Sequence, residues 1–237
     1  MPTATSSLVG PVRISNVWVM RDGEGRTFLV DAGHALERQT LLWGLRRLGV
    51  AGPGDLDAIL LTHRHSDHAG NAAFLRERFR APVHCHRADA VILEGEVPPP
   101  RLARRGAPIH HDALCHLEDR YPSRTTVDEA FEAGSIGLGF EAVHVGGHTE
   151  GSVMFLHEAS GTLFTGDAIL AGIPVQRLVR WLRLARPEYS LDVEACHRAT
   201  LAFLAKGPPL KVLCAGHGPR VDRGLEGHLA RLQRLGA

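Results

Sequence analysis

Residues 62–70 read Thr-His-Arg-His-Ser-Asp-His-Ala-Gly, and they follow the apolar run Ala58-Ile59-Leu60-Leu61 without a break. Four potential metal ligands, His63, His65, Asp67 and His68, therefore fall within six positions at the end of a buried strand. The next stretch, Ala69-Gly70-Asn71-Ala72-Ala73-Phe74-Leu75-Arg76, fits a helix, so the polar cluster is expected in a tight loop between strand and helix. Such a loop aims several side chains at one point. Neutral imidazole suits zinc and related divalent ions, and a carboxylate adds charge neutralisation, so the two halves of the cluster can serve two neighbouring ions. A loop that is merely rich in histidine is the plainer alternative, and the rest of the chain speaks against it.

Three further pieces match: Gly146-Gly147-His148-Thr149, Thr165-Gly166-Asp167-Ala168 and Ala215-Gly216-His217-Gly218. Each follows or adjoins an apolar, strand-like stretch. Alone, each is weak, because Gly-His and Gly-Asp pairs are common in turns. Together with the first cluster they supply five histidines and two aspartates. That is enough for two ions with positions left for water and substrate, whereas a closed structural zinc site needs only four ligands.

Strand and helix patterns alternate along both halves. Residues 12–20 and 27–31 read as strands joined by the turn Arg21-Asp22-Gly23-Glu24-Gly25, and 35–49 reads as an amphipathic helix with Leu36, Leu41, Leu45 and Leu48 inward. Strand 58–62, helix 70–79, strand 82–86 and a short helix near 87–94 follow, then a proline-rich stretch from Val97. In the second half, strands 139–145, 152–157 and 162–165, a helix near 191–205, strand 210–214 and a last helix at 222–235 repeat the theme. His84, His86 and His144 fall on strands and are expected in the core or behind the site.

The composition sets bounds. With 237 residues, 44 % hydrophobic and 22 % charged, the chain can bury a sizeable core, and it is expected to form one domain over 1–237 with cap-like insertions near 97–126 and 170–189. A formal net charge of +1 predicts no nucleic-acid partner. Cys85, Cys115, Cys196 and Cys214 are isolated, which favours buried, reduced thiols. Met1 to Gly10 lacks a basic start and a long apolar core, and no apolar stretch approaches the roughly 20 residues that span a bilayer. The expectation is a cytoplasmic protein without stable membrane insertion. The oligomeric state is left open.

The ordered motifs, including Phe28-Leu29-Val30-Asp31-Ala32-Gly33 and Gly147-His148-Thr149-Glu150-Gly151-Ser152, resemble those of the metallo-β-lactamase-fold hydrolases along nearly the whole chain. The resemblance implies an α/β architecture, a four-layer αββα sandwich of two mixed sheets flanked by helices. By the same likeness, His63, His65 and His148 would hold one metal, Asp67, His68 and His217 the other, and Asp167 would bridge them. Asp31 would orient a ligand from behind. The implied cofactors are two divalent ions, zinc first, with iron or manganese able to use the same ligands. The implied chemistry is attack of a metal-bridging hydroxide on an ester, thioester or lactone carbonyl, with Asp67 doubling as a proton acceptor and donor.

Within the family, glyoxalase II enzymes carry a C-terminal helical extension, whereas about twenty residues follow His217 here. Leu170 stands where acyl-homoserine lactonases have a tyrosine, and Ala168-Ile169-Leu170-Ala171-Gly172 lacks the Arg-Gly-Cys-Gly-Arg run of the persulfide dioxygenases. A mononuclear iron dioxygenase and a β-lactamase-like amide hydrolase are the alternatives. Glu150 replaces the family's usual proline. Substrate contacts, with a small anionic or acyl-bearing molecule, are expected from Glu150, Arg177, Arg180, His110 and His111. Around Arg177, Arg180, Arg183 and Arg186, the residues Leu178, Trp181, Leu182 and Ala185 share one helical sector, which reads as an amphipathic helix with a solvated basic face or as a lid over the substrate.

Overall fold

A computed structural model describes residues 4–9, 14–100, 122–172 and 181–236. The first sheet contains β1 (Thr5–Leu8), β2 (Trp18–Arg21), β3 (Thr27–Val30), β4 (Ala58–Leu60), β5 (Val83–His86) and β6 (Glu129–Phe131), adjacent in that order. The pairs β1/β2 and β2/β3 are antiparallel, and β3 through β6 run parallel. The second sheet has β7 (Gly134–Ser135), β8 (Phe140–His144), β9 (Val153–His157) and β10 (Thr162–Gly166), with β13 (Val212–Ala215) parallel to β10 at its far edge. Between them in sequence, β11 (Ile169–Leu170) and β12 (Arg183–Leu184) form a short antiparallel pair.

Alternation of side chains along the strands builds the layers. Trp18, Met20, Phe28, Val30, Ala58 and Leu60 of the first sheet meet Phe140, Ala142, Val153, Phe155, Phe164 and Cys214 of the second in one buried core. The intervening residues face outward. Val19, Leu29, Ile59, Leu61, Val83 and Cys85 pack beneath the helices α1 (Arg38–Arg47), α3 (Ala72–Phe79) and α4 (Arg87–Leu93). On the opposite side, Met154, Leu156, Leu163 and Leu213 pack beneath α5 (Val193–Ala205) and α6 (Leu225–Gly236). Three apolar interfaces separate four layers, so the arrangement is the αββα sandwich. Ala58 to Leu61 is apolar at every position because β4 is covered on both faces, as parallel interior strands are.

Several expectations are corrected. Strand 12–20 is confined to Trp18–Arg21 among the described residues, and β1 was not anticipated, because Thr5–Leu8 is a half-exposed edge strand without an apolar run. Leu36 is 85 % exposed, since Ala35–Glu37 is a 3-10 turn, initiated by the His34 ring accepting from Leu36 N–H, that ends before the helix begins. Leu41 and Leu45 are buried as expected. Asp67 and His68 lie on a helical turn, α2 (Ser66–Ala69), rather than in a loop. Past residue 180 the arginine-rich segment is not a helix: Arg183–Leu184 pairs with Ile169–Leu170, and the flanking Leu182 and Ala185 pack into the core beneath α5 and α6. Arg177, Leu178 and Arg180 lie outside the described residues, as do His110, His111 and Cys115. Cys85, Cys196 and Cys214 are free and buried. No helix among the described residues is long and apolar enough to cross a membrane.

Candidate metal centre

The seven proposed ligands converge at one end of the two sheets. β4 and α2 deliver His63, His65, Asp67 and His68; the turns after β8, β10 and β13 deliver His148, Asp167 and His217. Ligand atoms of His63, His65 and His148 lie within 4.8 Å of one another, and so do those of His63, Asp67 and His68 and those of His68, Asp167 and His217. Asp167 faces both ends of the cluster: one carboxylate oxygen is 3.3 Å from Nε2 of His68 and of His217, and the other is 3.6 Å from Nε2 of His148. Asp67 Oδ2 lies 3.4 Å from His217 Nε2 and 3.5 Å from His68 Nε2.

The ring tautomers can be read from the supporting hydrogen bonds. Ser190 donates its hydroxyl to Arg186 O at 2.7 Å, so toward His148 Nδ1, at 3.0 Å, it accepts. Thr62 likewise donates to Asp31 and accepts from His63 Nδ1 at 3.1 Å. His68 Nδ1 donates to Asp31 Oδ2 at 2.8 Å. In each ring Nδ1 carries a proton and is held from outside, which turns Nε2 toward the centre. Asp31 itself is buried, accepts from Thr62 N–H at 2.8 Å, and adopts φ 62°, a left-handed conformation that aspartate tolerates better than most residues.

Nε2 of His63, His65, His68 and His148 and Oδ1 of Asp167 are buried without a hydrogen bond. Such orphaned atoms are costly unless something fills the space between them, and the donor set of imidazoles and carboxylates fits divalent cations. The electrostatics agree. Burial, reinforced by the neighbouring imidazoles, holds His63 and His65 well below the ordinary histidine range, and burial lowers His148 to about 4 against the pull of Asp167. These three rings are neutral and able to coordinate. Burial also opposes charge on His217, but Asp167 and Asp67 outweigh it and raise it to about 10. Burial likewise works against ionisation of Asp67, yet His68 and His217 bring it down to about 2. The carboxylate end thus attracts positive charge that a cation would supply.

Backbone room is made at Gly216, where a Cβ would lie 2.6 Å from Asp167 Oδ1 and from His68 Cε1. Glu150 is exposed on the turn that follows His148, and its carboxylate is 3.7 Å from Arg64 Nη2. His84 and His86 are buried as expected, but His144 is exposed, stacked on His86 at 4.3 Å with its Nε2 2.7 Å from Glu150 O. Ser190, which bonds His148, and Arg64 and Asp89, which bond each other beside the ligand-bearing turns, were not singled out from the sequence. Of these only Arg64, lying between two ligands, carried a local signal.

Known proteins resemble this chain in sequence and fold. The Metallo-beta-lactamase superfamily matches residues 10–217. The "Probable metallo-hydrolase YybB" of Bacillus subtilis (strain 168) is 30 % identical over 161 residues, which are 68 % of this chain and 64 % of that protein. The "Hydroxyacylglutathione hydrolase GloC" of Haemophilus influenzae is 28 % identical over 67 % of this chain and 66 % of its own length. The chain therefore spans just under two thirds of each of these two relatives. Among solved structures, TTHA1623 in a di-iron-bound form has TM-score 0.63 and 27 % identity, covering 98 % of this chain and 99 % of that one. The BLEG-1 B3 metallo-beta-lactamase shares the fold at TM-score 0.65 and 24 % identity, covering 96 % and 99 %.

Proposed function

The chain belongs to the metallo-β-lactamase superfamily, and on that premise we propose that it is a metal-dependent hydrolase, using two divalent cations to cleave an ester, thioester or lactone carbonyl in a small anionic or acyl-bearing molecule. The observation that carries this reading is the convergence of buried, unpartnered Nε2 atoms and an orphaned carboxylate oxygen from both sheets on one point. His63, His65 and His148 would hold one cation, Asp67, His68 and His217 the second, and Asp167 would face both. Zinc is the first choice, with iron and manganese suited to the same atoms. When bound, such cations acidify water to a pKa of about 7 and polarise a carbonyl oxygen.

The chain's own residues do the rest. Asp31, Thr62 and Ser190 hold Nδ1 of His68, His63 and His148, so these three rings are already turned toward the cations they would bind. Asp67 is only partly buried and ionised, with its backbone carbonyl anchored by the Ser15 hydroxyl, and it is placed to accept a proton and pass it to the leaving group. A thioester is the first substrate to try, because relatives at 28–30 % identity include proteins named hydroxyacylglutathione hydrolases. Three unpaired, buried thiols support a cytoplasmic setting.

Elemental analysis of the purified protein, coupled to acid release from a panel of thioesters, lactones and esters, tests the proposal. Two equivalents of metal and chelator-sensitive acid release are expected. One iron with oxygen uptake, or a metal-free chain that hydrolyses equally well, would overturn it.

A further inference from the structure

Asp89 sits at the start of α4, outside the ligand set, and its side chain is completely buried. Three donors converge on its carboxylate: Arg64 N–H at 2.9 Å, the Thr149 hydroxyl at 2.7 Å and Gly151 N–H at 2.9 Å. The Thr149 hydroxyl is free to donate because Ser152 Oγ, 2.8 Å away, can supply it with a proton, while Ser152 Oγ accepts from Thr149 N–H. The buried Arg64 guanidinium completes the surroundings, with Nε 3.8 Å from Asp89 Oδ1 and Nη2 3.7 Å from Glu150.

The positions of these partners matter more than their number. Arg64 stands between His63 and His65, and Thr149 follows His148 directly. One carboxylate therefore touches the turn after β4 in the first sheet and the turn after β8 in the second, the two turns that carry the three-histidine cluster. The approach is so close that a Cβ at Gly151 would lie 2.7 Å from the Asp89 carboxyl carbon and from its backbone nitrogen. By contrast, His68 is held by Asp31, and among the described residues Asp67, Asp167 and His217 have no hydrogen bond to Asp89. Every hydrogen bond to Asp89 comes from a donor, so the site is built for the ionised carboxylate, although burial pushes the group above its usual value.

We infer that Asp89 is a positioning residue for the His63, His65 and His148 half of the centre: it clamps the two ligand-bearing turns of different sheets at the spacing one cation requires, and leaves the other half untouched. The inference rests on the two-cation reading above.

The test uses cobalt(II), whose visible absorption reports coordination geometry, titrated into chelator-stripped full-length wild type, Asp89→Asn and Thr149→Val. In wild type two equivalents should bind with distinct spectra. In Asp89→Asn one equivalent should weaken by about 10- to 100-fold with an altered spectrum, while the other keeps its affinity. Thr149→Val removes one donor and no charge. It should weaken the same equivalent by about fivefold, and it decides the matter if Asp89→Asn does not fold. Unchanged binding in a folded variant overturns the inference, and so does equal weakening of both equivalents, which a general loosening of structure would give. A wild type that takes up no cobalt fails differently: it removes the two-cation reading before any variant is compared.

Discussion

Replacing Asp31 by asparagine keeps the shape of the side chain and inverts its polarity on one side. The carboxylate accepts from Thr62 N–H at 2.8 Å, the Thr62 hydroxyl at 2.9 Å and His68 Nδ1 at 2.8 Å, all away from solvent. An amide keeps one accepting oxygen. Its nitrogen must face either Thr62 or His68, and in both orientations a donor meets a donor. Hydrogen bonds to an ionised group contribute about 1.5–3 kcal/mol, and a buried donor left unpaired costs about 1–3 kcal/mol. A combined loss of roughly 2–4 kcal/mol follows once the His68 ring is allowed to tilt. At roughly 2–4 °C per kcal/mol for a chain of this size, the melting temperature of the metal-free protein should fall by about 4–16 °C. Cation affinity at the His68 end should drop by about 10- to 100-fold. Asparagine is the informative choice because it tolerates φ 62°, whereas alanine there would add about 1–2 kcal/mol of backbone strain. Thermal melts of the stripped protein and competition against a chelator of known affinity measure the two effects. Wild-type melting and wild-type affinity in Asp31→Asn would refute the claim that this carboxylate holds the His68 ring.

Gly216→Ala should weaken metal binding and turnover by roughly 10- to 100-fold while the circular dichroism stays unchanged, because the new methyl group enters the space of Asp167 and His68; wild-type metal affinity would count against it. Phe155→Ala, which empties the space between the sheets where the ring meets Phe131 at 5.8 Å and Phe140 at 6.3 Å, should cost about 3–5 kcal/mol in urea unfolding. Asp128 ties α3 to β5 through Arg76 Nε and Val83 N–H, each at 2.8 Å, and its hydrogen bond to Arg76 holds the carboxyl below the ordinary range. A depressed carboxyl pKa gives stability that is present above the unfolded value of about 3.9 and is lost as pH falls through the folded value. Asp128→Asn should therefore melt below wild type at neutral pH, with the gap closing as the solution is acidified; a gap independent of pH would contradict this.

The candidate ligands were readable because each ends or adjoins an apolar run, and the β4 run in particular is buried on both faces, which only an interior strand requires. The layering was readable for the same reason, since alternate residues of β8 and β9 feed two different cores. Leu36 misled because its spacing fits the helix while a turn ends before the helix begins. The segment around Leu182 misled because its apolar residues suit a helix sector, yet pairing of Arg183–Leu184 with Ile169–Leu170 satisfies their burial as an extended strand. Asp89 and Ser190 were invisible for another reason. Each is bonded to a residue far away in sequence, and a solitary acid or serine at a helix start or in a turn looks like an ordinary cap.

Because His63, His65, Asp67 and His68 arise from one sheet and His148, Asp167 and His217 from the other, a cation seated among them would rivet the two halves of the sandwich together. Loading and folding then become a single linked equilibrium. Free metal at a hundred times its dissociation constant would add about 2.7 kcal/mol to the stability of the whole chain, so starvation for metal would reach the cell first as a protein that unfolds more often, and only then as a lost activity.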